Sequence, residues 1–190
     1  MAYQDDIKKA AALLLPWNKL SGCNILVTGA TGLIGGCLVD VLMAHKGRNY
    51  NVYASGRNEE RAGRRFLKYA DDNAFHFVKY DVAQPLEYDV NFQYIIHAAS
   101  GAYPEEFIKH PVEVIKGNIN GLDNLMGYGI QHGIKRLLYI SSGEVYGEGD
   151  GRVFTENYSG YVDCTSLRSC YPSSKRAAET LCISYGAEYG

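Results

Sequence analysis

Short apolar runs alternate with longer stretches of mixed polarity along most of the chain. The apolar runs predict five β-strands, at residues 24–28, 51–55, 75–80, 94–98 and 136–141. Nearly continuous apolar strands such as Ile25-Leu26-Val27 are typical of a parallel sheet covered on both faces. We therefore expect a parallel sheet with helices on either side.

The stretches between the strands carry helical patterns. They predict helices at residues 33–45, 59–69, 104–117, 118–132 and 172–188. This alternation predicts an α/β fold, a Rossmann-type doubly wound parallel sheet, with ligands at the carboxyl ends of its strands. Residues 21–190 would form this domain. Residues 1–20 would add an N-terminal helical extension, whose apolar segment, residues 10–15, is closed by Pro16.

Three glycines spaced three apart follow the first predicted strand. A sharp strand-to-helix turn needs a residue that tolerates unusual φ, which Gly29 supplies. Gly32, without Cβ, lets a pyrophosphate approach the backbone, and Gly35 lets the new helix pack closely. The free N–H groups of the helix N-terminus favour an anion there. The motif therefore predicts dinucleotide binding, the alternative being a glycine-rich turn that binds nothing.

Composition narrows the class of protein. The 190 residues suffice for one sizeable core, and 46% hydrophobic and 21% charged residues are ordinary for a soluble globular protein. A net charge of −2 gives no reason to expect nucleic acid or an anionic membrane. The five cysteines contain no CxxC pair, so we expect no metal site and reduced thiols in the cytoplasm. No apolar run reaches transmembrane length.

A tyrosine and a lysine open the last predicted helix. Tyr171 and Lys175 lie one turn apart on one face, and an ammonium beside a phenol favours the phenolate, as a general base for an alcohol requires. With 16 tyrosines in the chain, about one Tyr-x-x-x-Lys is expected by chance from composition alone. By itself the pair is therefore weak evidence for a catalytic role. Its weight comes from the glycine loop before it and from Ser142 at a strand end.

These motifs together resemble a known family over about residues 20–190. They are similar to the extended short-chain dehydrogenase/reductases, and within them to the NAD-dependent nucleotide-sugar epimerases, dehydratases and decarboxylases. The resemblance rests on Thr28-Gly29-x-x-Gly32-x-x-Gly35, Asp81-Val82, His97-Ala98-Ala99, Asn118, Ser142 in Ser-Ser-x-x-Val-Tyr-Gly, and Tyr171-x-x-x-Lys175.

The resemblance implies a catalytic set of Ser142, Tyr171 and Lys175. Tyr171 would take the proton of a sugar hydroxyl while hydride passes to the nicotinamide, and Ser142 would hydrogen-bond the oxygen as it becomes a carbonyl. Asp81 would lie near the adenine. The implied cofactor-binding residues are Gly29, Thr31, Gly32, Leu33, Ile34, Arg57, Asp81, Val82, His97, Ala98, Ala99, Asn118, Tyr171 and Lys175.

The second reaction is indicated by the residues after Ser142. The family's 4,6-dehydratases carry Asp-Glu where this chain has Gly143-Glu144, so the proton donor for a leaving hydroxyl is absent. UDP-glucuronate decarboxylases keep the glutamate after a small residue, and the stretch from Arg168 to Tyr171 also looks like theirs. Decarboxylation is therefore favoured and epimerisation comes next. Glu144 is either catalytic or an ordinary solvated acid.

The cofactor's phosphate state stays open. An acid at the end of the second strand usually binds the ribose of NAD, but this chain has Arg57, which could pair with the 2′-phosphate of NADP. NAD is implied by the resemblance. The alternatives are an NADPH-dependent carbonyl or keto-sugar reductase, and a non-catalytic dinucleotide-binding regulator, since fold does not fix function.

The resemblance also implies partners and a further domain. The substrate would be a UDP-, dTDP- or CDP-sugar, and the helices of residues 104–132 and 172–188 would pair in a homodimer. Family members continue with a C-terminal domain that binds the nucleotide-sugar. We therefore expect that substrate domain to be missing from the 190-residue chain.

Overall fold

A parallel five-stranded sheet organises the computed structural model, which describes residues 2–101 and 103–190. The strand order is β3-β2-β1-β4-β5, so the chain reverses direction across the sheet beside β1. The strands are β1 (Asn24–Thr28), β2 (Asn51–Gly56), β3 (Phe75–Lys79), β4 (Tyr94–His97) and β5 (Arg136–Tyr139). The predicted Rossmann-type fold is confirmed, although β3, β4 and β5 end slightly before their predicted ends.

Six α-helices accompany these strands in the described residues. They are α1 (Ala2–Ala11), α2 (Leu33–Ala44), α3 (Glu59–Phe66), α4 (Pro104–Lys109), α5 (Pro111–Gln131) and α6 (Cys170–Tyr189). The predicted boundary between residues 117 and 118 is wrong, because the break falls at His110, whose φ of −136° and ψ of 50° are not helical. Pro111 disfavours helix at the residue before it and then begins α5.

The last helix also begins earlier than predicted. A 3₁₀ turn, Leu167–Ser169, leads directly into α6 at Cys170, so Pro172 lies inside the first turn. Proline is tolerated there because the first N–H groups of a helix have no partner within it.

The N-terminal helix lies earlier than its predicted apolar segment. It ends at Ala11, and Leu13, Leu14 and Leu15 follow it as exposed residues. Instead, Ile7 and Ala11 are buried where α1 packs against α2. Within residues 2–101 and 103–190, every helix is too short or too polar to cross a bilayer.

Alternating side chains of β1 fill both faces of the sheet. Ile25 and Val27 pack with residues of α2 and α3, whereas Leu26 packs on the other face with Leu125 and Tyr128 of α5. Period-two alternation explains why one apolar run supplies both cores. The sheet is thereby packed against helices on both of its faces.

A buried carboxylate ties α1 and α3 to α2. Asp40 is fully buried and accepts hydrogen bonds from Tyr3 (2.6 Å), Arg65 (2.6 Å) and Tyr69 (2.9 Å), while Lys68 lies 2.8 Å away. Burial acts to raise the pKa of Asp40, but the hydrogen bonds from Arg65 and Lys68 prevail and lower it to about 2. The carboxylate thus stabilises this corner as an anion.

Replacing this carboxylate should destabilise the protein in a pH-dependent way. We expect Asp40→Asn to lower the free energy of unfolding by about 2 kcal/mol at pH 7, because cations are left facing a neutral amide. The lowered pKa stabilises the fold above the unfolded value near 4 and is lost as pH falls toward about 2. Urea titrations should therefore show the largest difference in free energy of unfolding between the native protein and Asp40→Asn at pH 7. This difference should shrink as the pH is lowered from about 4 towards about 2.

The matched control for this substitution is Glu60→Gln on α3. The Glu60–Arg64 pair is 2.7 Å long but largely exposed, so its loss should cost less than about 0.5 kcal/mol. Equal destabilisation by the two substitutions would contradict the role given to Asp40.

Candidate dinucleotide and catalytic site

The glycine turn after β1 is built around a close backbone approach. Gly29 has φ of +64°, and a Cβ there would lie 2.7 Å from the backbone of Ala98. A Cβ on Gly35 would lie 2.5 Å from the Gly29 carbonyl oxygen. α2 then begins at Leu33 with no acidic residue in its first turn. This cradle, with its helix N-terminus, fits a dinucleotide pyrophosphate.

The predicted adenosine end of the site lies at β2 and β3. The side chain of Arg57 is 79% exposed, and its Nη1 lies 4.0 Å from Oδ2 of Asp81. Asn124 of α5 donates to the carbonyl of Val82 at 3.0 Å, which fixes the loop after β3. Thr31 lies beside Gly56, where an added Cβ would be 3.4 Å from its methyl group. Arg57 therefore faces Asp81, so an incoming 2′-phosphate would meet a carboxylate as well.

His97 is a buried neutral group at the end of β4. Its Nδ1 lies 2.7 Å from Oγ1 of Thr28 on β1, and the N–H of Ala99 donates to the same hydroxyl at 3.4 Å. Burial first, and then the charge of Lys175, lower the pKa of His97 to about 3. The imidazole thus joins two strand ends and brings Ala98 and Ala99 beside Gly29.

A chain of hydrogen bonds joins β4, α5 and α6. Ser100 Oγ donates to Oδ1 of Asn118 at 2.8 Å, and Asn118 Nδ2 donates to Ser174 Oγ at 2.9 Å. Ser174 in turn donates to the carbonyl of Tyr171 at 3.0 Å. Asn118 therefore holds the first turn of α6. The sequence analysis did not identify Ser100 and Ser174 as links, although Ser100 directly follows His97-Ala98-Ala99 and Ser174 lies within Tyr171-x-x-x-Lys175.

Tyr171 and Lys175 lie on one face of α6, as the spacing predicted, and that face is buried. Lys175 is 2% exposed, its Nζ donates to the carbonyl of Ile140 at 2.9 Å, and it lies 5.7 Å from the Tyr171 ring centroid. Burial lowers the pKa of Lys175 to about 8. The ammonium also lies 4.5 Å from the ring of Tyr139, a neighbour that the apolar strand pattern did not single out.

Ser142 and Glu144 lie in the turn after β5. The Ser142 hydroxyl accepts a hydrogen bond from the Glu144 N–H at 3.3 Å and so caps the 3₁₀ turn Gly143–Tyr146. The Glu144 carboxylate accepts from Arg168 at 2.5 Å, so it is paired and not a freely solvated acid. Among the hydrogen bonds of the described residues, none joins Ser142 directly to Tyr171.

A long loop, residues 147–166, lies beside these groups without helix or strand. Arg176 of α6 donates to the carbonyls of Val145 at 2.7 Å and Gly160 at 2.9 Å. Gly160 also donates to the Tyr146 carbonyl at 2.8 Å, in a crossing so close that a Cβ there would meet the Glu148 oxygen at 2.1 Å. The base of the loop is thus fixed against α6.

Residues 25–190 match the NAD dependent epimerase/dehydratase family. The chain belongs to this family, as its motifs predicted, and its cofactor is NAD.

Among its relatives are two UDP-glucuronic acid decarboxylases. The chain is 36% identical over 173 residues to UDP-glucuronic acid decarboxylase 6 of Arabidopsis thaliana, a match covering 90% of this chain and 48% of that protein. It is 33% identical over 168 residues to UDP-glucuronic acid decarboxylase 1 of Danio rerio, covering 87% and 38%. The chain thus spans half or less of the length of these curated relatives.

A solved structure shares the fold. UDP-glucose 4-epimerase from Thermotoga maritima, crystallised with UDP-glucose, matches with a TM-score of 0.69 and 24% identity, over 88% of this chain and 52% of that one. This likeness supports the fold alone.

The glycine turn gives a direct test of the cofactor site. Gly29→Ala should weaken NAD binding by at least about tenfold, because the new Cβ strains φ and meets the Ala98 backbone. Calorimetric titration with NAD measures this. Gly63→Ala on α3 is the control, since its Cβ meets no atom within 4 Å and should stabilise the helix by about 0.5–1 kcal/mol. Unchanged NAD affinity in Gly29→Ala would place the site elsewhere.

The buried ammonium gives a prediction about pH. The pKa of Lys175 is about 8 in the fold and near 10.4 in the unfolded chain, so the unfolded chain binds more protons between these values. Relative to Lys175→Met, the native protein should gain about 1 kcal/mol in free energy of unfolding from pH 7 to pH 9. Urea titrations measure it, with exposed Lys116→Met as control. Parallel profiles for the native protein and Lys175→Met would contradict the buried charge.

Proposed function

We propose that this protein decarboxylates UDP-glucuronate through a transient keto-sugar. The observation that carries the proposal is the Tyr171 phenol beside the buried Lys175 ammonium, at the carboxyl end of the sheet. The identity of 36% and 33% to two UDP-glucuronic acid decarboxylases supports this substrate. An NAD-dependent family and a complete Ser142, Tyr171 and Lys175 set support chemistry over a purely regulatory role.

The cradle at Gly29 would hold the pyrophosphate of NAD, with Asp81 at the adenosine and Lys175 at the nicotinamide ribose. When bound, NAD supplies the reversible oxidation of a sugar hydroxyl to a ketone. The protein's own contribution is to position the sugar and to move protons.

Tyr171 acts as the base in this proposal. It takes the proton of the C4 hydroxyl, and the neighbouring ammonium of Lys175 stabilises the phenolate that this step requires. Because Ser142 accepts the Glu144 N–H with an oxygen lone pair, its own hydroxyl proton stays free to donate to the sugar oxygen. That bond strengthens as the oxygen becomes a carbonyl.

Decarboxylation follows from the ketone itself. A ketone at C4 is β to the C5 carboxylate, so the electrons left by departing CO₂ are delocalised as an enolate, which is then protonated at C5. Return of the hydride to C4, with the proton held by Tyr171, restores the hydroxyl, so the net change is the loss of one CO₂. Elimination of a hydroxyl would instead need an acid to protonate the leaving group. Gly143 offers none, and Glu144 already accepts from Arg168. The site therefore favours decarboxylation over dehydration.

The assembly and location belong to the same proposal. Exposed apolar side chains on α4, α5 and α6, including Ile108, Val112 and Ile183, support a homodimer through these helices. All five cysteines are free thiols, which supports a reducing, cytoplasmic location.

Tyr171→Phe tests the reaction. We expect turnover of UDP-glucuronate to fall by about 10³-fold while NAD still binds, because the ring packing is kept and the base is lost. Mass spectrometry of the nucleotide-sugar should show loss of one CO₂ with the native protein. The control is Tyr185→Phe on the same helix, whose hydroxyl instead donates to Asp123 at 2.6 Å. A product of unchanged mass, or one lacking water, would overturn decarboxylation.

A further inference from the structure

A row of four side chains in contact connects Glu144 to Tyr171 in the proposed catalytic site. Its members, in order, are Glu144, Arg168, Phe107 and Tyr171. The Glu144 carboxylate accepts from Arg168 Nη2 at 2.5 Å, and the Arg168 guanidinium lies 4.7 Å from the ring centroid of Phe107. The rings of Phe107 and Tyr171 are stacked, with centroids 4.6 Å apart and planes 19° apart. Arg168 is therefore the one member that joins the acid to the aromatic pair.

The four residues come from separate elements. Glu144 follows β5, Phe107 belongs to α4, Tyr171 to α6, and Arg168 to the 3₁₀ turn before α6. Phe107 and Tyr171 are buried in one cluster with Val114. The side chains of Arg168 and Glu144 stay 44% and 38% exposed, at the edge of the cluster that opens to solvent. This row of side chains thus runs from the protein surface at Glu144 to the buried Tyr171, the proposed base.

An arginine suits this place for physical reasons. A planar guanidinium can lie over an aromatic face and still donate in its own plane to a carboxylate, whereas an ammonium lacks the planar fork. The hydrogen bond from Arg168 to Glu144 raises the pKa of Arg168, although partial burial opposes it. The cation is consequently fixed in charge while it contacts both neighbours.

We propose that Arg168 is a positioning residue of this site. It orients the Glu144 carboxylate directly and sets the plane of the Tyr171 ring through Phe107, without contacting the sugar. The inference rests on the proposed function for the role of Tyr171. A misplaced base slows proton transfer more than it weakens binding, so loss of Arg168 should act on kcat.

Steady-state kinetics of the full-length protein with NAD and UDP-glucuronate test this. Arg168→Met should lower kcat by about 10- to 100-fold and leave KM within about twofold, since the substrate contacts remain. Arg168→Lys keeps the charge but not the planar fork, so it should recover only part of the loss. If Arg168→Met does not fold, Arg168→Lys tests the proposal in its place. A double variant, Arg168→Met with Phe107→Leu, should be little worse than the poorer single variant, because both act on one ring.

The matched control is Arg152→Met. Arg152 forms a similar pair, 2.6 Å from Asp150 and 5.5 Å from the ring of Tyr158, but both of these partners belong to the long loop. Its kcat and KM should match those of the native protein. Equal losses in Arg152→Met and Arg168→Met would overturn the proposal, as would a raised KM with unchanged kcat, which would make Arg168 a substrate ligand.

A readout without turnover separates this inference from the proposed function. In protein carrying ring-¹³C tyrosine, the signal lost in Tyr171→Phe identifies Tyr171. That signal should shift or broaden in Arg168→Met and in Phe107→Leu, and stay in place in Arg152→Met. If the native protein does not convert UDP-glucuronate but the Tyr171 signal still shifts in Arg168→Met, the proposed substrate is wrong and the positioning role of Arg168 is supported. An unmoved Tyr171 signal in Arg168→Met overturns the positioning role.

Discussion

The contact between the backbones of Gly29 and Ala98 is the constraint on which the rest of the site depends. It lies where β1 is flanked by β2 on one side and β4 on the other, so the chain leaves the sheet in opposite directions around it. Because no side chain fits between the two backbones, the N-terminus of α2 and the loop after β4 are held side by side. The Thr28–His97 contact adds a hydrogen bond to the same junction.

The second requirement is that α6 present its buried face to this junction. Two polar connections do this from opposite sides, one from Asn118 of α5 through Ser174, and one from Lys175 to the end of β5. Lys175 therefore both anchors the helix and bears the charge used in the proposed chemistry. Burying the Lys175 ammonium lowers the free energy of unfolding relative to an apolar side chain of similar length. Functional sites commonly contain such destabilising groups.

Much of this arrangement could be predicted from the sequence because its signals are local. Apolar runs located every strand, and the left-handed turn at Gly29 follows from the glycine spacing alone. Helix boundaries near Pro111 and Pro172 were misjudged, since a proline is equally compatible with starting a helix and with lying in its first turn. The pairing of Arg168 with Glu144 and the stacking of Phe107 on Tyr171 could not be predicted, because they join residues far apart in the chain through tertiary packing.

The loop of residues 147–166 is held at its base by the hydrogen bonds of Arg176 and by the close approach of Gly147 and Gly160, and its middle packs back toward that base through Phe154. Phe154 stacks on Tyr146 of the preceding 3₁₀ turn, with ring centroids 5.2 Å apart, and its ring is tilted by 59° against that of Tyr158, whose centroid lies 4.8 Å away. Since lengthening a loop whose ends are already fixed adds little entropy cost, the exposed residues on either side of Phe154 can change in length and sequence while the site keeps its shape. These exposed residues are thus a place where a substitution or an inserted peptide can alter the surface of the loop without moving Ser142, Tyr171 or Lys175.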